Sequence, residues 1–406
     1  MLNHQIKPTL FGYGLTTKAI AKKLGGGCTF FDDNTKEAYV DEDNNRILPS
    51  ALFDPDKSLL EVTTPSLKPN HPLIQTAKHL LSEYDYFAKE MPFSIWISGT
   101  NGKTTTTQML THLLQKRGAV SGGNIGTPLA ELSTDAPIWV LESSSFALHH
   151  THTASPNIYL LLPITPDHLD WHKTFQQYAA DKLKPLLTMK EGELALVPKG
   201  LSIPKTNAYV VEYDSNEFIA EYFNLDSSKL RFKAAFLQDA LLALAVTRVL
   251  FDEADHALMN SFTLDAHRQE ELKDAKGRLW VNDSKATNLD ATIQALKGYA
   301  DRHIHLILGG DDKGVDLTPL FVSMQTLDIT LYSIGANSDK LLALAKTYHI
   351  NTVESQTIQN AISQIDKVHA QDSVALLSPA AASFDQFKSY KHRGETFMEL
   401  VINLKK

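Results

Sequence analysis

Phe93-Ser94-Ile95-Trp96-Ile97-Ser98-Gly99-Thr100-Asn101-Gly102-Lys103-Thr104-Thr105 is an apolar run that turns into a glycine-rich, cationic, hydroxyl-bearing segment. Gly99 and Gly102 allow a tight turn whose N–H groups approach phosphate oxygens. Lys103 supplies a cation, and Thr104 offers a hydroxyl to a magnesium ion. The chemistry is that of an ATP site. The first glycine of the full eight-residue phosphate loop would fall at Ile97, so a plain Gly-Lys-Thr turn is the competing interpretation. The flanks favour the loop: a strand precedes it, and Thr105 to Gln115 carries Met109, Leu110, Leu113 and Leu114 on one face of a helix.

Other polar groups fall at the ends of predicted strands, where open α/β sheets place their ligands. Glu142 follows the strand Ile138 to Leu141, and Asn282-Asp283 closes the strand Leu279 to Asn282. Further strands are expected at Ile158 to Leu162, Ile304 to Leu308, Ile329 to Ile334 and Val374 to Leu377, with a long helix over Leu237 to Leu250. Near the N-terminus, residues 8–14 are expected to form a strand and a Gly-x-Gly turn. A helix follows from Thr17 to Leu24, then a strand from Cys28 to Phe31 that ends at Asp32 and Asp33. That is a nucleotide-binding βαβ start, but Thr17 stands where a dinucleotide fingerprint has its third glycine, which leaves a uridine or phosphate pocket. The fold expected is α/β with three domains: a Rossmann-like domain over 1–89, a P-loop ATPase-type domain over 90–263 and a second Rossmann-like domain over 264–406.

Composition excludes several classes. A 406-residue chain with 43% apolar residues has ample core for more than one domain. A net charge of −8 without a Lys/Arg run argues against a nucleic-acid partner. No uninterrupted apolar stretch has bilayer length and the first residues lack a signal-peptide core, so no membrane partner and a cytoplasmic location are expected. Cys28 is the single cysteine and is expected to be a packing residue. His149, His150 and His152 have no fourth ligand at metal spacing and are expected in a histidine-rich loop.

The loop Gly99–Thr105, Glu142-Ser143-Ser144-Ser145-Phe146, Asp167-His168-Leu169-Asp170, Tyr178-Ala179-Ala180-Asp181-Lys182, His267-Arg268, Asn282-Asp283-Ser284-Lys285-Ala286-Thr287-Asn288, Leu308-Gly309-Gly310-Asp311-Asp312-Lys313 and Ser378-Pro379-Ala380-Ala381-Ala382-Ser383-Phe384 follow one another along the chain. In this order they resemble the Mur ligase family over essentially its whole length. The Asn282–Asn288 and Ser378–Phe384 runs are most similar to the branch that adds D-glutamate to UDP-N-acetylmuramoyl-L-alanine, and the Asp-Asn-Pro-Arg motif of the diaminopimelate-adding branch is absent.

The resemblance implies an ATP-dependent amide-forming ligase of peptidoglycan precursor synthesis, working through an acyl phosphate. It implies ATP binding by Gly99, Thr100, Asn101, Gly102, Lys103, Thr104 and Thr105, with Arg268 following the γ-phosphate and Asp283 on the ribose. Two magnesium ions are expected, held by Thr104, Glu142, His168 and a carbamylated Lys182; taken singly, Glu142 is equally a strand-end carboxylate, and Lys182 and Lys184 an exposed helix face. Gly14, Leu15, Thr16 and Asp33, with Asp32 an equal candidate, fit the UDP pocket, and Asn124 fits a contact to the sugar. D-glutamate falls to Thr287, Lys313, Ser383 and Tyr390, the last standing where the family often has Phe; Arg393 is expected to be structural. The protein is expected to act as a monomer.

Two departures stand out. Thr64-Pro65-Ser66 replaces a Ser-Pro-Gly run, and Ala235-Phe236-Leu237-Gln238-Asp239 lies over the family's His-Asn-x-x-Asn, so Phe236 and Asp239 replace two amides. Three other readings compete: a ligase adding glutamate to folate, a regulatory P-loop NTPase and a nicotinamide oxidoreductase. The UDP-type start and Thr17 weigh against the first and last.

Overall fold

The computed structural model describes residues 7–404. Strands β1 (Thr9–Phe11), β2 (Thr29–Asp32), β3 (Tyr39–Val40), β4 (Arg46–Pro49), β5 (Glu61–Thr63) and β6 (Leu80–Leu81) form a first sheet in the order β3-β4-β2-β1-β5-β6. Only the β3–β4 pair is antiparallel. Leu10 pairs with Phe30 and Val62 in this sheet, and all three are buried with Ile20 of the helix Leu15–Lys23. Thr17 Oγ1 donates to Gly12 O at 2.6 Å, so a hydroxyl ties down the turn where a dinucleotide fold brings in a glycine.

The second sheet is wholly parallel. Its strands β7 (Phe93–Ser98), β8 (Ala119–Gly123), β9 (Ile138–Glu142), β10 (Ile158–Leu161), β11 (Leu194–Pro198) and β12 (Tyr209–Tyr213) run in the order β12-β11-β10-β7-β9-β8. Strands buried on both faces need near-continuous apolar sequence, and Ile95-Trp96-Ile97 and Trp139-Val140-Leu141 supply it. The third sheet holds β13 (Glu270–Lys273), β14 (Leu279–Asn282), β15 (Ile304–Leu308), β16 (Ile329–Ile334), β17 (Asn351–Gln356) and β18 (Val374–Leu377). Their order is β13-β14-β18-β15-β16-β17, with β13 antiparallel at the edge. The expected α/β plan with three mostly parallel sheets is the observed one.

These sheets fall into two compact units, described separately below. The first contains the chain through Arg231 and Gln238–Ser261, and the second contains Phe232–Leu237 and the chain from Phe262 onward. Ala234–Phe251 is the one helix among the described residues with the length and apolarity to cross a bilayer. Its stretch Asp239–Thr247 is buried, as in the core helix of a globular unit. One expectation is corrected: His149 and His150 lie on a short helix, Ser145–His150, because Ser144 Oγ accepts from Ala147 N at 3.1 Å and caps it. Cys28 is buried just before β2.

Candidate active site

The parallel register sets the site in the first unit. Ile97 of β7 pairs with Glu142 of β9 and Leu160 of β10, so the turn after β7 leaves the sheet at its carboxyl edge beside Glu142. Gly99 has φ +144°, and a Cβ there would lie 2.5 Å from Leu162 Cβ. Gly102, at φ +83°, precedes the helix Lys103–Leu114, and a Cβ there would lie 2.7 Å from Asp239 Oδ1. Both positions therefore need glycine for conformation and for space. Lys103 Nζ folds over the turn and donates to Gly99 O at 2.9 Å and Thr100 O at 2.7 Å.

Thr100 does something the sequence did not suggest. Its buried hydroxyl accepts from Thr165 N at 2.9 Å, donates to Thr165 O at 3.0 Å and lies 3.1 Å from Tyr178 Oη, so its side chain braces the loop. Asn101 and Thr104 are half-buried on the turn, whereas Thr105 is buried with its hydroxyl unpartnered.

Lys182 reaches the same turn from the helix Phe175–Leu183. Its Nζ donates to Gly99 O at 2.7 Å and Ser98 Oγ at 3.2 Å, and it is 1% exposed. Burial pushes its ammonium well below the usual lysine range, and repulsion from Lys103 adds to this against the pull of Asp167, Glu142 and Asp181. The neutral amine is thereby favoured. Lys184 points elsewhere, its Nζ donating to His149 O. Asp181, adjacent in sequence, titrates at about 2: burial raises it, and hydrogen bonds from His149 and His172 more than offset that.

Glu142 is buried, and its two oxygens differ. Oε1 accepts from Asn124 Nδ2 at 2.6 Å, while Oε2 is buried without a hydrogen-bond partner. Asn124, expected against a sugar, thus turns its amide onto Glu142, because Gly123 pairs with Glu142 across β8 and β9. His168 sits at φ +53° ahead of the helix Leu169–His172, with its ring half exposed and 3.5 Å from Asp167. Burial lowers its pKa, and Lys103 and Lys182 lower it further against the pull of Asp167, which favours the neutral imidazole.

These residues fit a magnesium ion. An unpartnered buried carboxylate oxygen is a hard donor that such a cation satisfies. No group of three or more His, Cys, Asp or Glu among the described residues is arranged to hold a metal alone.

At the carboxyl edge of the first sheet the two aspartates part company. Asp32 accepts from Tyr13 N at 3.0 Å and Asn34 N at 2.9 Å, while Asp33 accepts from Ser50 Oγ and from His71 at 2.9 Å. The Ser50 hydrogen bond holds the Asp33 carboxyl below its usual range against partial burial, helped by His71. Leu15 is 62% exposed, Gly14 and Thr16 flank it at the helix start, and a groove of about 490 Å³ opens beside Tyr13, Asp32, Asn34 and Tyr39.

In the second unit, Asp283 follows β14. It accepts from Ser378 Oγ at 2.8 Å and Gln269 N at 3.2 Å, and burial lifts it to about 7 against those hydrogen bonds and the Arg268 charge. Arg268 is half-buried, Ser383 is buried, and Thr287 and Lys313 are exposed, Lys313 at φ +51° with its N–H on Asp311 Oδ1 at 3.0 Å. Lys285 Nζ lies 4.0 Å from the centre of the Tyr390 ring. Arg393 is structural as expected: its guanidinium is buried and donates at 3.0 Å to Ser284 Oγ, Ser284 O and Ala381 O.

The comparisons with known proteins fit this arrangement. The chain is 49% identical over 399 residues to UDP-N-acetylmuramoylalanine–D-glutamate ligase of Campylobacter jejuni, covering 98% of this chain and 99% of that one. It is 45% identical over 420 residues to the Helicobacter pylori protein of the same name, covering 98% and 100%. The chain belongs to the Mur ligase family. The model of the Mur ligase middle domain matches residues 97–238 of this Mur ligase, the stretch from the phosphate loop to the start of the long helix. Among solved structures, the MurF ligase of Thermotoga maritima in complex with ADP aligns with a TM-score of 0.57 over 99% of this chain and 98% of that one, at 14% identity, which establishes the shared fold.

Proposed function

We propose that this Mur ligase joins D-glutamate to UDP-N-acetylmuramoyl-L-alanine at the expense of ATP, the step of peptidoglycan precursor synthesis that its relatives are named for. The observation that carries the reading is the convergence of two lysines on one carbonyl: Lys103 and the buried Lys182 both donate to Gly99 O, with the unpartnered oxygen of Glu142 at the neighbouring strand end. The alanyl carboxylate oxygen attacks the γ-phosphorus and the bond to ADP breaks. The D-glutamate nitrogen then attacks the acyl carbon, phosphate leaves with the C–O pair, and the nitrogen gives up its proton. Both steps move negative charge, so the protein's task is positioning and neutralising charge.

Each residue has a part in that task. The N–H groups of Gly99–Thr105 cradle the phosphates, and Lys103 neutralises charge on the β and γ groups. Thr104, Glu142, His168 and the carbamate of Lys182 would hold two magnesium ions, which supply Lewis-acid stabilisation of the transferring phosphoryl group. The carbamate forms when the neutral Lys182 amine donates its lone pair to the carbon of CO₂: one C=O π pair moves to oxygen and the nitrogen's proton passes to water. A buried lysine with a depressed pKa has the lone pair that this needs. Arg268 and Asp283 take the γ-phosphate and ribose. Gly14, Leu15, Thr16 and Asp33 take the UDP end, with Asn124, already donating to Glu142, on the sugar. Lys313, Thr287, Ser383 and Tyr390 take D-glutamate.

The division into 1–89, 90–263 and 264–406, monomeric action and a cytoplasmic location belong to the same proposal. Phosphate release is the test, measured with a panel of UDP-linked and pteridine acceptors against D-glutamate, L-glutamate and D-aspartate. Turnover that needs both UDP-N-acetylmuramoyl-L-alanine and D-glutamate is expected. Equal use of the two glutamate enantiomers refutes the acceptor, and ATP hydrolysis indifferent to any acceptor refutes the ligase.

A further inference from the structure

Behind Lys182 lies a buried hydrogen-bonded chain that no step above uses. Asp181 accepts from His149 Nδ1 at 2.9 Å, from His172 Nδ1 at 2.8 Å and from Gln177 Nε2 at 2.9 Å. His172 Nε2 in turn lies 2.9 Å from Ser145 Oγ. Ser145 and Asp181 are each 3% exposed and the His172 side chain is fully enclosed. The register is that of a Ser–His–Asp triad, yet no substrate carbonyl can reach an enclosed serine, so nucleophilic chemistry is excluded here. What remains is placement.

The chain ties together the two backbone segments that carry Glu142 and Lys182. Ser145 opens the helix three residues after Glu142, and Asp181 precedes Lys182 on the helix Phe175–Leu183. A carboxylate only accepts, so both Nδ1 atoms facing Asp181 donate to it, and His172 Nε2 shares a hydrogen bond with the Ser145 hydroxyl. That fixes every rotamer in the chain. We propose that Ser145, His172 and Asp181 are a positioning relay that holds Lys182 against the Gly99 carbonyl in the placement that favours carbamate formation. The inference rests on the carbamate reading of Lys182 given above. It adds that groups enclosed on the far side of the helix set how much of the carbamate exists.

The test uses the full-length protein equilibrated with ¹³C-bicarbonate and observed by ¹³C NMR, with turnover measured at the same bicarbonate concentrations. Wild type is expected to show a carbamate resonance that Lys182→Ala lacks. His172→Phe, which removes the link between Ser145 and Asp181 and leaves the Asp181 charge in place, should need about tenfold or more bicarbonate for half-maximal signal, the usual range when a partner behind a ligand is lost. Its kcat should fall with little change in the KM for ATP and recover as bicarbonate rises. Ser145→Ala, which deletes one oxygen and leaves Asp181 paired, should shift the titration in the same direction by less, and keeps the test decisive if His172→Phe does not fold. Wild-type bicarbonate titrations in these variants would overturn the relay and leave the carbamate standing. A wild-type protein without a Lys182-dependent resonance would overturn the carbamate and the relay with it.

Discussion

The turn after β7 in the first unit and the strand-end loops of the second are built on the same parallel-sheet plan but hold their polar groups differently. In the first, Lys182, Glu142 and the Thr100 hydroxyl are buried and hydrogen-bonded, to Gly99 O, to the Asn124 amide and to Tyr178 with the Thr165 main chain. In the second, burial stops at the frame: Asp283, Ser383 and Arg393 are enclosed, while Thr287 and Lys313 stand out in solvent. Groups that stabilise moving charge act most strongly when fixed in a low-dielectric setting before the reaction begins. Groups that select an amino acid must be reachable each turnover. On the proposed assignments, the groups given to phosphate and metal include the most deeply buried lysine, whereas two of the four given to D-glutamate, Thr287 and Lys313, are exposed.

The largest way to break this contrast is Lys103→Ala, which should lower kcat by about a thousandfold in a protein with an unchanged far-ultraviolet spectrum, as expected when a fixed donor to transition-state charge is removed. Wild-type turnover in that variant would remove the ATP assignment from the turn. Lys313→Ala should act on binding, raising the KM for D-glutamate by roughly tenfold to a hundredfold, the value of a charged hydrogen bond, while the KM for ATP stays where it was. An equal effect on both constants would show that the exposed tip is not a separate recognition element.

Stability sharpens the comparison from another side. Burial lifts Glu83 to about 7 from its usual 4.5, against hydrogen bonds from the main chain at Ala130 and Leu129. The folded protein then holds this proton more tightly than the unfolded chain. The associated stability is fully present below pH 4.5 and is lost as pH rises to 7. Glu83→Gln should therefore stabilise the protein by about 2 to 3 kcal/mol at pH 8 and leave it nearly unchanged at pH 4, as read by urea denaturation. The smallest effect expected is at Asp239, whose carboxylate lies against Gly102. Asp239→Asn should lower the KM for ATP by about threefold to tenfold with kcat little changed, because a negative charge beside a phosphate site is replaced by a group that also donates.

Local signals were legible in the chain, and pairings made across space were not. The strand and helix around Gly99–Thr105, the strands β1, β2, β7, β9, β10, β14, β15, β16 and β18 and the structural role of Arg393 follow from periodicity, glycine placement and resemblance, whereas the other strands of the three sheets do not. The Asn124–Glu142 hydrogen bond depends on Gly123 and Glu142 meeting across β8 and β9, which no spacing along the chain reveals. The choice of Lys182 over Lys184 rests on resemblance alone; its physical ground is that, two positions apart along the chain, the side chains leave in different directions, one to Gly99 O and the other to His149 O. The expected histidine-rich loop fails because a capping serine turns His149 and His150 into part of a helix, and the His149 ring donates to Asp181, far along the chain.

The buried Arg393 bears on how such a protein changes over time. Its guanidinium fastens the Asn282–Asn288 and Ser378–Phe384 segments by the Ser284 hydroxyl and by carbonyls of Ser284 and Ala381, groups that almost any neighbouring side chain would leave in place. The residues that protrude from those segments can be exchanged without loosening the clasp. On the proposed assignment of Thr287 to D-glutamate, preference for the incoming amino acid can then change by substitution at that tip while the scaffold beneath keeps its shape.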